Sequence, residues 1–347
     1  MDLYLLGSVS WLDSQLIYHA LPRLGREGLI LLWPGSPYVC IGYHQDAEQE
    51  VDLAYCRASG IPVFRREVGG GAVYLDGEQV FYQLVLRRTH PLVQGSKEAL
   101  YRRLLEPVVL VLRDLGLAAS YKPVNDILVG GRKISGNGAG EIADSLVLVG
   151  NVILDFNYEM MVRVLRVPDE KFRDKVHKSL QENLTTLRRE LGGLPDRAQV
   201  QELLVHRFAE VLGPLAPRPL PEEVRLEVER LAEERCSEAW LLRGGRRLAG
   251  RRVRIAAGRE VVQNVYKAPG GLIRATVEVA DGRFVAVDFS GDFFFYPPAA
   301  LEALAGHLAG TPCCDAEATI AAFYAAHGIE SPGVTPADLV KALGLSR

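Results

Sequence analysis

Cysteine is scarce in this chain of 347 residues, and it never occurs in a spacing that binds metal. The five cysteines form no C-x-x-C pair, and the adjacent Cys313 and Cys314 have a poor spacing for binding a metal ion together. The seven histidines are scattered and show no ligand spacing either. We therefore expect reduced, mostly packing thiols in a cytoplasmic protein, and no histidine-based metal chemistry.

Long apolar runs and an excess of one charge are also missing. No apolar stretch reaches the length that crosses a bilayer. The N-terminus carries Asp2 where a secretory signal would be basic. The 40 basic and 43 acidic residues leave a net charge of −3. This balance argues against a general nucleic-acid or membrane-surface binder, so we expect neither as a partner.

The composition is that of an ordinary globular protein, with 48% hydrophobic residues and a length that allows two domains. Short apolar strands and helical stripes alternate up to about residue 212. Four prolines between Gly213 and Pro221 then predict a stiff linker. The predicted organisation is a mixed-sheet α+β domain over 1–212, the linker 213–221 and a small α+β domain over 222–347.

Several local patterns make testable structural predictions. The two glycines before Arg132 predict a hairpin that carries Lys133, and Asp281-Gly282 predicts another in the C-terminal part. Apolar residues at helical spacing predict a helix over 100–115, with a kink or an early end at Pro107. A second apolar stripe over 172–187 also predicts a helix.

A run of three glycines follows two arginines in the sequence Arg65-Arg66-Glu67-Val68-Gly69-Gly70-Gly71-Ala72-Val73-Tyr74. Glycine costs conformational entropy, so such a run needs a reason. A turn alone needs fewer glycines. Close approach of the backbone to a ligand explains the run better, and the arginines favour an anionic or phosphorylated ligand.

A second glycine-rich segment contains Asn125-Asp126-Ile127 and Gly131-Arg132-Lys133-Ile134-Ser135-Gly136-Asn137-Gly138. Beside small residues, the ammonium group of Lys133 can reach a carboxylate or a phosphate, and Asp126 can bind Mg²⁺ or a ribose hydroxyl. A plain turn and a solvated surface lysine are the alternatives. Neither segment matches the Walker loop or the dinucleotide fingerprint.

In order and spacing, these motifs resemble the lipoate–protein ligase family of the biotin/lipoate ligase superfamily. The segments that carry the resemblance are 37–42, 65–74, 125–127, 131–136 and 175–184. Segments 270–273 and 290–294 resemble the accessory C-terminal domain of that family. The likeness spans nearly the whole chain.

The resemblance implies an ATP- and Mg²⁺-dependent enzyme, expected to be a monomer, that activates lipoate or octanoate to acyl-AMP. The acyl group would then pass to a lysine of a dehydrogenase E2 component, a glycine-cleavage H protein or a lipoate-binding protein. Lys133 would be the essential lysine, and Asp126 would bind Mg²⁺ or the ribose. The implied ATP and adenylate contacts are Arg66, Gly71, Ala72, Val73, Tyr74, Asp126, Lys133, Gly136 and Gly138. The implied lipoyl contacts are Gly70, Gly71, Lys133, Val39 and Ile41.

Two positions depart from the family pattern. Leu75-Asp76 follows Tyr74 where the family often has His-Asp, and Gly136-Asn137-Gly138 stands where Gly-Ser-Ala is usual. Both departures concern the expected acyl pocket, so they leave the preferred acid open.

Three other functions fit the same motifs less well. An octanoyltransferase working from acyl carrier protein needs a pocket thiolate, and no cysteine lies between Lys133 and residue 212. A biotin ligase would carry an arginine- and glycine-rich adenylate loop, which is absent. A non-catalytic lipoate or adenylate sensor would not need Lys133, Arg66 and Asp126 together.

Overall fold

The computed structural model of the chain describes residues 1–167, 169–243, 253–256 and 259–344. It contains two compact units. The first comprises Met1–Cys40, Glu50–Val68 and Val73–Leu241. The second comprises Ile41–Gln49, Gly69–Ala72 and Leu242–Arg347. No helix within the described residues is long and apolar enough to cross a membrane.

Strands and helices occur in both units, which makes the fold α+β as predicted. The strands are β1 (Asp2–Val9), β2 (Gly28–Pro34), β3 (Tyr38–Ile41), β4 (Val63–Arg65), β5 (Val73–Leu75), β6 (Gln79–Arg87), β7 (Ala119–Lys122), β8 (Asp126–Val129), β9 (Arg132–Ser135), β10 (Asn137–Ile142), β11 (Ser145–Ile153), β12 (Ala216–Pro217), β13 (Val253–Ala256), β14 (Arg259–Ala268), β15 (Gly271–Ala280) and β16 (Arg283–Gly291). The helices are α1 (Trp11–Arg23), α2 (Ala47–Glu50), α3 (Leu53–Ala58), α4 (Lys97–Asp114), α5 (Tyr158–Val164), α6 (Glu170–Asn183), α7 (Leu187–Leu191), α8 (Arg197–Leu212), α9 (Glu222–Arg235), α10 (Glu238–Leu241), α11 (Ala300–Leu308), α12 (Ala316–His327) and α13 (Pro336–Ala342).

A mixed six-stranded sheet forms the centre of the first unit, in the order β10-β11-β6-β2-β1-β12. Strands β2, β6, β11 and β10 pair antiparallel, whereas β1 is parallel to β2 and to β12. Alternate residues of β6, such as Tyr82 and Leu84, join the apolar core that α4 and α8 cover. The residues between them are buried too, and helix α1 also packs on β6 and β2, so the centre of the sheet is covered on both faces.

Two small sheets of the first unit carry the sequence motifs. One has the order β4-β3-β5, and the other has the order β7-β8-β9. The glycine-rich run therefore lies between β4 and β5, and Lys133 lies on β9. Each motif is attached to a strand end, where a loop can approach a ligand while the strands stay fixed.

The proline-rich segment lies within the first unit. Ala216 and Pro217 pair with β1, and helix α9 packs against α1 and has Val224, Val228 and Leu231 buried. Hence the first compact unit continues beyond residue 212 to Leu241. The predicted assignment of 222–347 to an accessory domain stays a proposal.

Two predicted helices differ from their patterns. Helix α4 continues through Pro107 to Asp114, because Pro107 is buried among apolar neighbours that hold the helix together. The stripe over 172–187 forms α6, but that helix has no buried residue and ends at Asn183. Leu187 belongs to α7 and is fully buried.

The second unit contains the antiparallel sheet β13-β14-β15-β16 and helices α11 to α13. Strand β15 alternates buried and partly exposed residues and pairs with β16 around the predicted hairpin turn, whereas β16 does not alternate regularly. Asp281 and Gly282 have φ values of +49° and +73°, which a two-residue hairpin loop of this twist requires. The apolar face of the sheet forms a core with helix residues such as Leu304 and Ile320.

Candidate active site

The lysine motif forms the predicted hairpin. Gly130 and Gly131 connect β8 to β9 with φ values of +56° and +78°, which a side chain would strain. Leu128 pairs with Lys133 across the hairpin, and a register shift lies next to this pair. Asp126 and Leu128 lie on one face of β8, so the long side chain of Lys133 extends along that face toward Asp126 at the open end of the hairpin.

Lys133 and Asp126 form an ion pair, with Nζ 2.7 Å from Oδ1. The two side chains are 35% and 26% exposed, so both charges are accessible to solvent and to a ligand. The backbone of Lys133 is fixed, since its carbonyl oxygen accepts the Thr185 N–H at 2.8 Å. An anionic ligand can therefore meet a positioned ammonium group here.

Gly136 is held beside Lys133 by an amide bridge. The Gly136 N–H donates to Asn151 Oδ1 at 2.8 Å, and Asn151 Nδ2 donates to Gln79 Oε1 at 2.6 Å. Gln79 Nε2 in turn donates to the Tyr74 carbonyl at 3.4 Å. This bridge links the lysine hairpin to the strand that follows the glycine-rich run. Gly138, the other small residue of the motif, pairs with Val149 inside the main sheet.

Arg66 is buried against strand β3. Its Nη1 donates to the Cys40 carbonyl at 3.3 Å, and the same nitrogen lies 3.7 Å from Cys40 Sγ. Strand β3 pairs with β5, and in this pair Val39 lies opposite Tyr74. Burial, followed by the charge of Asp76, raises the pKa of Tyr74 to about 12, so its hydroxyl stays protonated at neutral pH.

Arg65 serves a different contact from Arg66. It is 1% exposed, and its guanidinium donates to the Trp240 and Leu241 carbonyls, the latter at 2.7 Å. Trp240 Nε1 returns a hydrogen bond of 2.9 Å to the Arg65 carbonyl. Arg65 therefore anchors helix α10, and only the second arginine of the pair remains a ligand candidate.

Glu67, next in sequence, lies in a buried cluster of charges. Arg23 Nη2 donates to both carboxylate oxygens at 2.8 and 2.9 Å, and Arg235 pairs with the same carboxylate. His19 Nε2 accepts the Glu67 N–H at 3.2 Å. Burial alone would raise the pKa of Glu67, but His19, Arg23 and Arg235 bring it below its usual value. Burial dominates for His19 and lowers its pKa to about 4.

The glycines of the run belong to the second unit, and backbone conformation or packing explains two of them. Gly70 has a φ of +96°, which a side chain would strain, and its carbonyl oxygen lies where a Cβ on Gly42 would be. A Cβ on Gly69 would lie 2.9 Å from the ring of Phe294. At Gly71 the nearest atom would be Asp292 Cβ at 3.6 Å, an ordinary contact. Only Gly71 therefore still needs a reason other than packing, as a ligand contact would give.

Neither cysteine that precedes the lysine motif is an exposed thiol. Cys40 and Cys56 are 0% and 1% exposed. Burial raises the pKa of Cys40, although Arg66 acts in the opposite direction. Burial, with Asp52, raises the pKa of Cys56 to about 11. Both thiols are therefore protonated at neutral pH and make poor nucleophiles.

The predicted site residues fall in both units. Within the first unit the structure joins Lys133, Asp126 and Gly136, and pairs Val39 with Tyr74 and Cys40 with Val73. The other predicted residues of this unit are Arg66 and Gly138. Those of the second unit are Ile41, Gly70, Gly71 and Ala72. Their individual roles remain predictions.

Sequence reasoning missed the polar residues that support the site. Asn151 and Gln79 are 72 positions apart in sequence, and Glu67 and Arg235 are still further apart, so no local spacing connects them. One signal was available. Gln79, Gln83 and Asn151 are polar residues inside apolar strands, and buried polar side chains need partners.

Comparison with known proteins places this site in a family. A family model, described as the lipoyl protein ligase A/B catalytic domain, matches residues 11–209. The octanoyltransferase LipM of Kyrpidia tusciae is 31% identical over 228 residues, which is 59% of this chain and 82% of that protein. The lipoate-protein ligase LplJ of Bacillus subtilis is 26% identical over 274 residues, 78% of this chain and 77% of that protein.

Solved structures show the same fold. A bipartite lipoate protein ligase of Thermoplasma acidophilum, described with its E2 lipoyl domain, aligns with a TM-score of 0.62 and 26% identity over 72% of this chain and 98% of its own. A lipoate-protein ligase A bound with ATP gives 0.59 and 26%, over 70% of this chain and 98% of its own. Plasmodium falciparum LipL1 in complex with lipoate gives 0.71 at 14% identity over 95% of each chain, a likeness of fold alone.

The family match covers more than half of the chain and contains the lysine hairpin, Arg66 and the glycine run. Relatives named ligases and relatives named octanoyltransferases both match. The chain therefore belongs to the lipoyl protein ligase A/B family, the lipoate ligase and octanoyltransferase enzymes of the biotin/lipoate ligase superfamily.

Proposed function

We propose that this protein is an ATP-dependent lipoate–protein ligase. It activates lipoate or octanoate to acyl-AMP and then transfers the acyl group to a lysine of a lipoyl-acceptor domain. The observation that carries the proposal is the accessible Lys133–Asp126 pair at the open end of the hairpin. A relative of known structure binds ATP, and another was described with its E2 lipoyl domain.

The first step brings two anions together. A carboxylate oxygen of the acid attacks the α-phosphorus of ATP, the new P–O bond forms, and the bond to the bridging oxygen of pyrophosphate breaks. Lys133 can offset the repulsion, because its ammonium group is held by a fixed backbone and can contact both the carboxylate and the phosphate. Contact with these anions would replace part of the contact with Asp126.

The second step needs an uncharged amine. The acceptor lysine attacks the acyl carbonyl, a C–N bond forms, and the C–O bond to the phosphate breaks. AMP leaves with the negative charge, and the attacking nitrogen loses one proton to solvent. Lys133 stabilises charge on both the carbonyl oxygen and the departing phosphate, so one group can serve both steps.

Mg²⁺ is expected as the companion of ATP. Mg²⁺ in nucleotide sites is held by one or two carboxylates together with phosphate oxygens and water. Asp126 supplies one such carboxylate next to Lys133, which fits that donor set. Among the described residues no group of three or more His, Cys, Asp or Glu could hold a metal without a ligand's help. The ion, when bound, would neutralise the charge of the phosphates.

Octanoyl transfer from acyl carrier protein is the second candidate, because relatives named octanoyltransferases match this chain. That reaction forms a thioester on an enzyme cysteine. No cysteine lies between Cys56 and Cys236, and the two that precede the lysine motif are buried and protonated. The ligase reaction needs no thiol, so it fits these residues better.

Mass spectrometry of an acceptor domain separates the two candidates. Incubation of the full chain with ATP, Mg²⁺ and either acid should add the acyl mass to the acceptor and release pyrophosphate. Lys133→Ala should abolish both, whereas Lys122→Ala removes the same charge from β7 and should not. Acylation from octanoyl acyl carrier protein without ATP, lost on Cys40→Ser, would overturn the proposal.

A further inference from the structure

Asn137 stands where the chain departs from the Gly-Ser-Ala pattern, and its side chain is 9% exposed. Its Oδ1 accepts hydrogen bonds from the Tyr82 hydroxyl and, at 3.3 Å, from the Ser135 hydroxyl. Its Nδ2 donates to the Asn125 carbonyl at 3.0 Å. The amide group is thus committed to protein partners on both sides and does not face an acyl chain.

The contact with Asn125 is reciprocal. Asn125 Nδ2 donates to the Asn137 carbonyl, while Asn137 Nδ2 donates to the Asn125 carbonyl. Because each side-chain amide donates to the backbone carbonyl of the other residue, the pair fixes the distance between the start of β8 and the start of β10. Asn125 directly precedes Asp126, so this pair sets the start of β8.

The other end of the network reaches the strand of the lysine. Ser135 lies two residues after Lys133 on β9, and its hydroxyl is 3.1 Å from the Tyr82 hydroxyl. Tyr82 and Ser135 are both 0% exposed. The network therefore joins a neighbour of Asp126 to a neighbour of Lys133, the two residues of the ion pair.

The main sheet leaves room for this amide. Gly150 pairs with Asn137 across β10 and β11. A Cβ on Gly150 would overlap Asn137 Oδ1 and the Tyr82 ring and hydroxyl. A glycine at this position of a central strand weakens the strand, and here it accommodates the buried amide of Asn137.

We infer that Asn137 is a positioning residue for adenylation, which holds Asp126 and Lys133 in register through Asn125, Ser135 and Tyr82. The inference rests on the proposed function, because it assigns to this network the geometry of the nucleotide step. A displacement of about 1 Å in such a site can cost about 10²-fold in rate. The effect should fall on ATP, since Asp126 is the proposed partner of its Mg²⁺ or ribose.

The test measures pyrophosphate release and ATP affinity for the full chain carrying Asn137→Ala. We expect kcat to fall by about 10-fold or more and the KM for ATP to rise at least about threefold, with the KM for the acid nearly unchanged. Isothermal titration with ATP and Mg²⁺ should show the same loss of affinity. If Asn137→Ala folds poorly, Tyr82→Phe replaces it, because this variant keeps the ring. We expect it to raise the KM for ATP by a smaller factor and to leave the KM for the acid nearly unchanged.

Tyr101→Phe is the matched control. Tyr101 is as buried as Tyr82, and its hydroxyl accepts the Ala139 N–H at 2.7 Å, on the same strand β10. This bond supports the backbone of Ala139 and does not involve the side chains of Asn125, Ser135 or Asn137. We expect a similar decrease of the unfolding temperature in both tyrosine variants, but unchanged ATP affinity in Tyr101→Phe.

The outcomes separate two failures. If the wild type releases pyrophosphate and both tyrosine variants and Asn137→Ala keep wild-type KM values, the positioning role is overturned while the ligase stands. If the wild type releases no pyrophosphate with either acid, the ligase proposal falls and takes the positioning role with it. A double variant Asn125→Ala/Asn137→Ala that loses no more than each single variant supports the reciprocal pair.

Discussion

His19 is a fully buried histidine that the folded protein keeps neutral. The groups that face it are Glu67, Arg23 and Arg235, together with the Gln15 carbonyl, which lies 2.5 Å from its Nδ1. Its Nε2 accepts the Glu67 N–H, which requires this nitrogen to carry no proton. The histidine therefore supports the backbone just before the glycine run only in its neutral form.

The first prediction concerns acid stability. The pKa of His19 is about 4 in the folded protein and about 6.5 in the unfolded chain, so protons favour unfolding between these values. Stability should fall as the pH drops through this window, by at most about 3 kcal/mol. Urea unfolding at about pH 7 and about pH 5 measures this change in the free energy of unfolding. Both pH values lie above the range in which Glu67 titrates, so Glu67 does not contribute to the difference. His19→Gln keeps a donor and an acceptor and should lose less stability over this interval; an equal loss would contradict the assignment.

A second prediction at the residue scale concerns glycine. Gly150→Ala adds a methyl group that overlaps Asn137 and Tyr82, so it should destabilise the protein by about 1–3 kcal/mol, as overpacking does. Gly193→Ala is the control, because a Cβ there meets no atom within 4 Å. Equal urea midpoints for the two variants would show that the space around Asn137 is not limiting.

At the scale of elements, helices α9 and α10 are attached to the strand that leads to the glycine run. Arg235 ends α9, pairs with Glu67 and lies 3.9 Å over the Trp240 ring. Trp240 and Arg65 exchange hydrogen bonds between α10 and β4. Arg235 and Arg65 thus connect these two helices to Glu67 and to β4.

Arg235→Ala should remove this attachment. Glu67 would keep Arg23, so the expected cost is about 1–3 kcal/mol, less than for a buried charge left alone. Arg230→Ala removes an exposed arginine that pairs with Glu227 on the same helix, and its unfolding midpoint should stay near that of the wild type. If the two variants unfold alike, the buried pair does not anchor the helix.

Sequence reasoning succeeded for elements whose signal is local. The turns at Gly130-Gly131 and Asp281-Gly282 are where their residues predicted them, because positive φ values are a property of the turn itself. It failed where the end or the burial of an element depends on contacts with residues distant in sequence. Pro107 does not end α4, and the stripe of α6 is not buried, since both depend on what packs against the helix. The motif was enough to select Lys133 and Asp126 as candidates, and they form an ion pair. Asn151 and Gln79 were not selected, because only the sheet register brings them together.

At the scale of the whole chain, the proline-rich segment and the edge of the first unit do not coincide. A chain cut after residue 221 would lose α9, which packs on α1 and contains the buried Val224, Val228 and Leu231, whereas a chain cut after Leu241 would keep this helix. We expect the longer fragment to unfold at a clearly higher temperature, because α9 buries apolar surface. Circular dichroism of both fragments measures the difference. Equal melting temperatures would place the edge of the first domain at the prolines.

The position of β12 beside β1 affects the state of the chain while it is being synthesised. Ala216 and Pro217 pair with the start of β1, at Asp2 and Leu3, and α9 packs on α1. The first strand and helix made therefore gain contacts from some of the last residues of their unit. At a translation rate of about 5–20 residues per second, about 10–40 seconds separate the two ends. During that interval the nascent chain carries an open sheet edge and an uncovered helix, the surfaces to which a chaperone would bind.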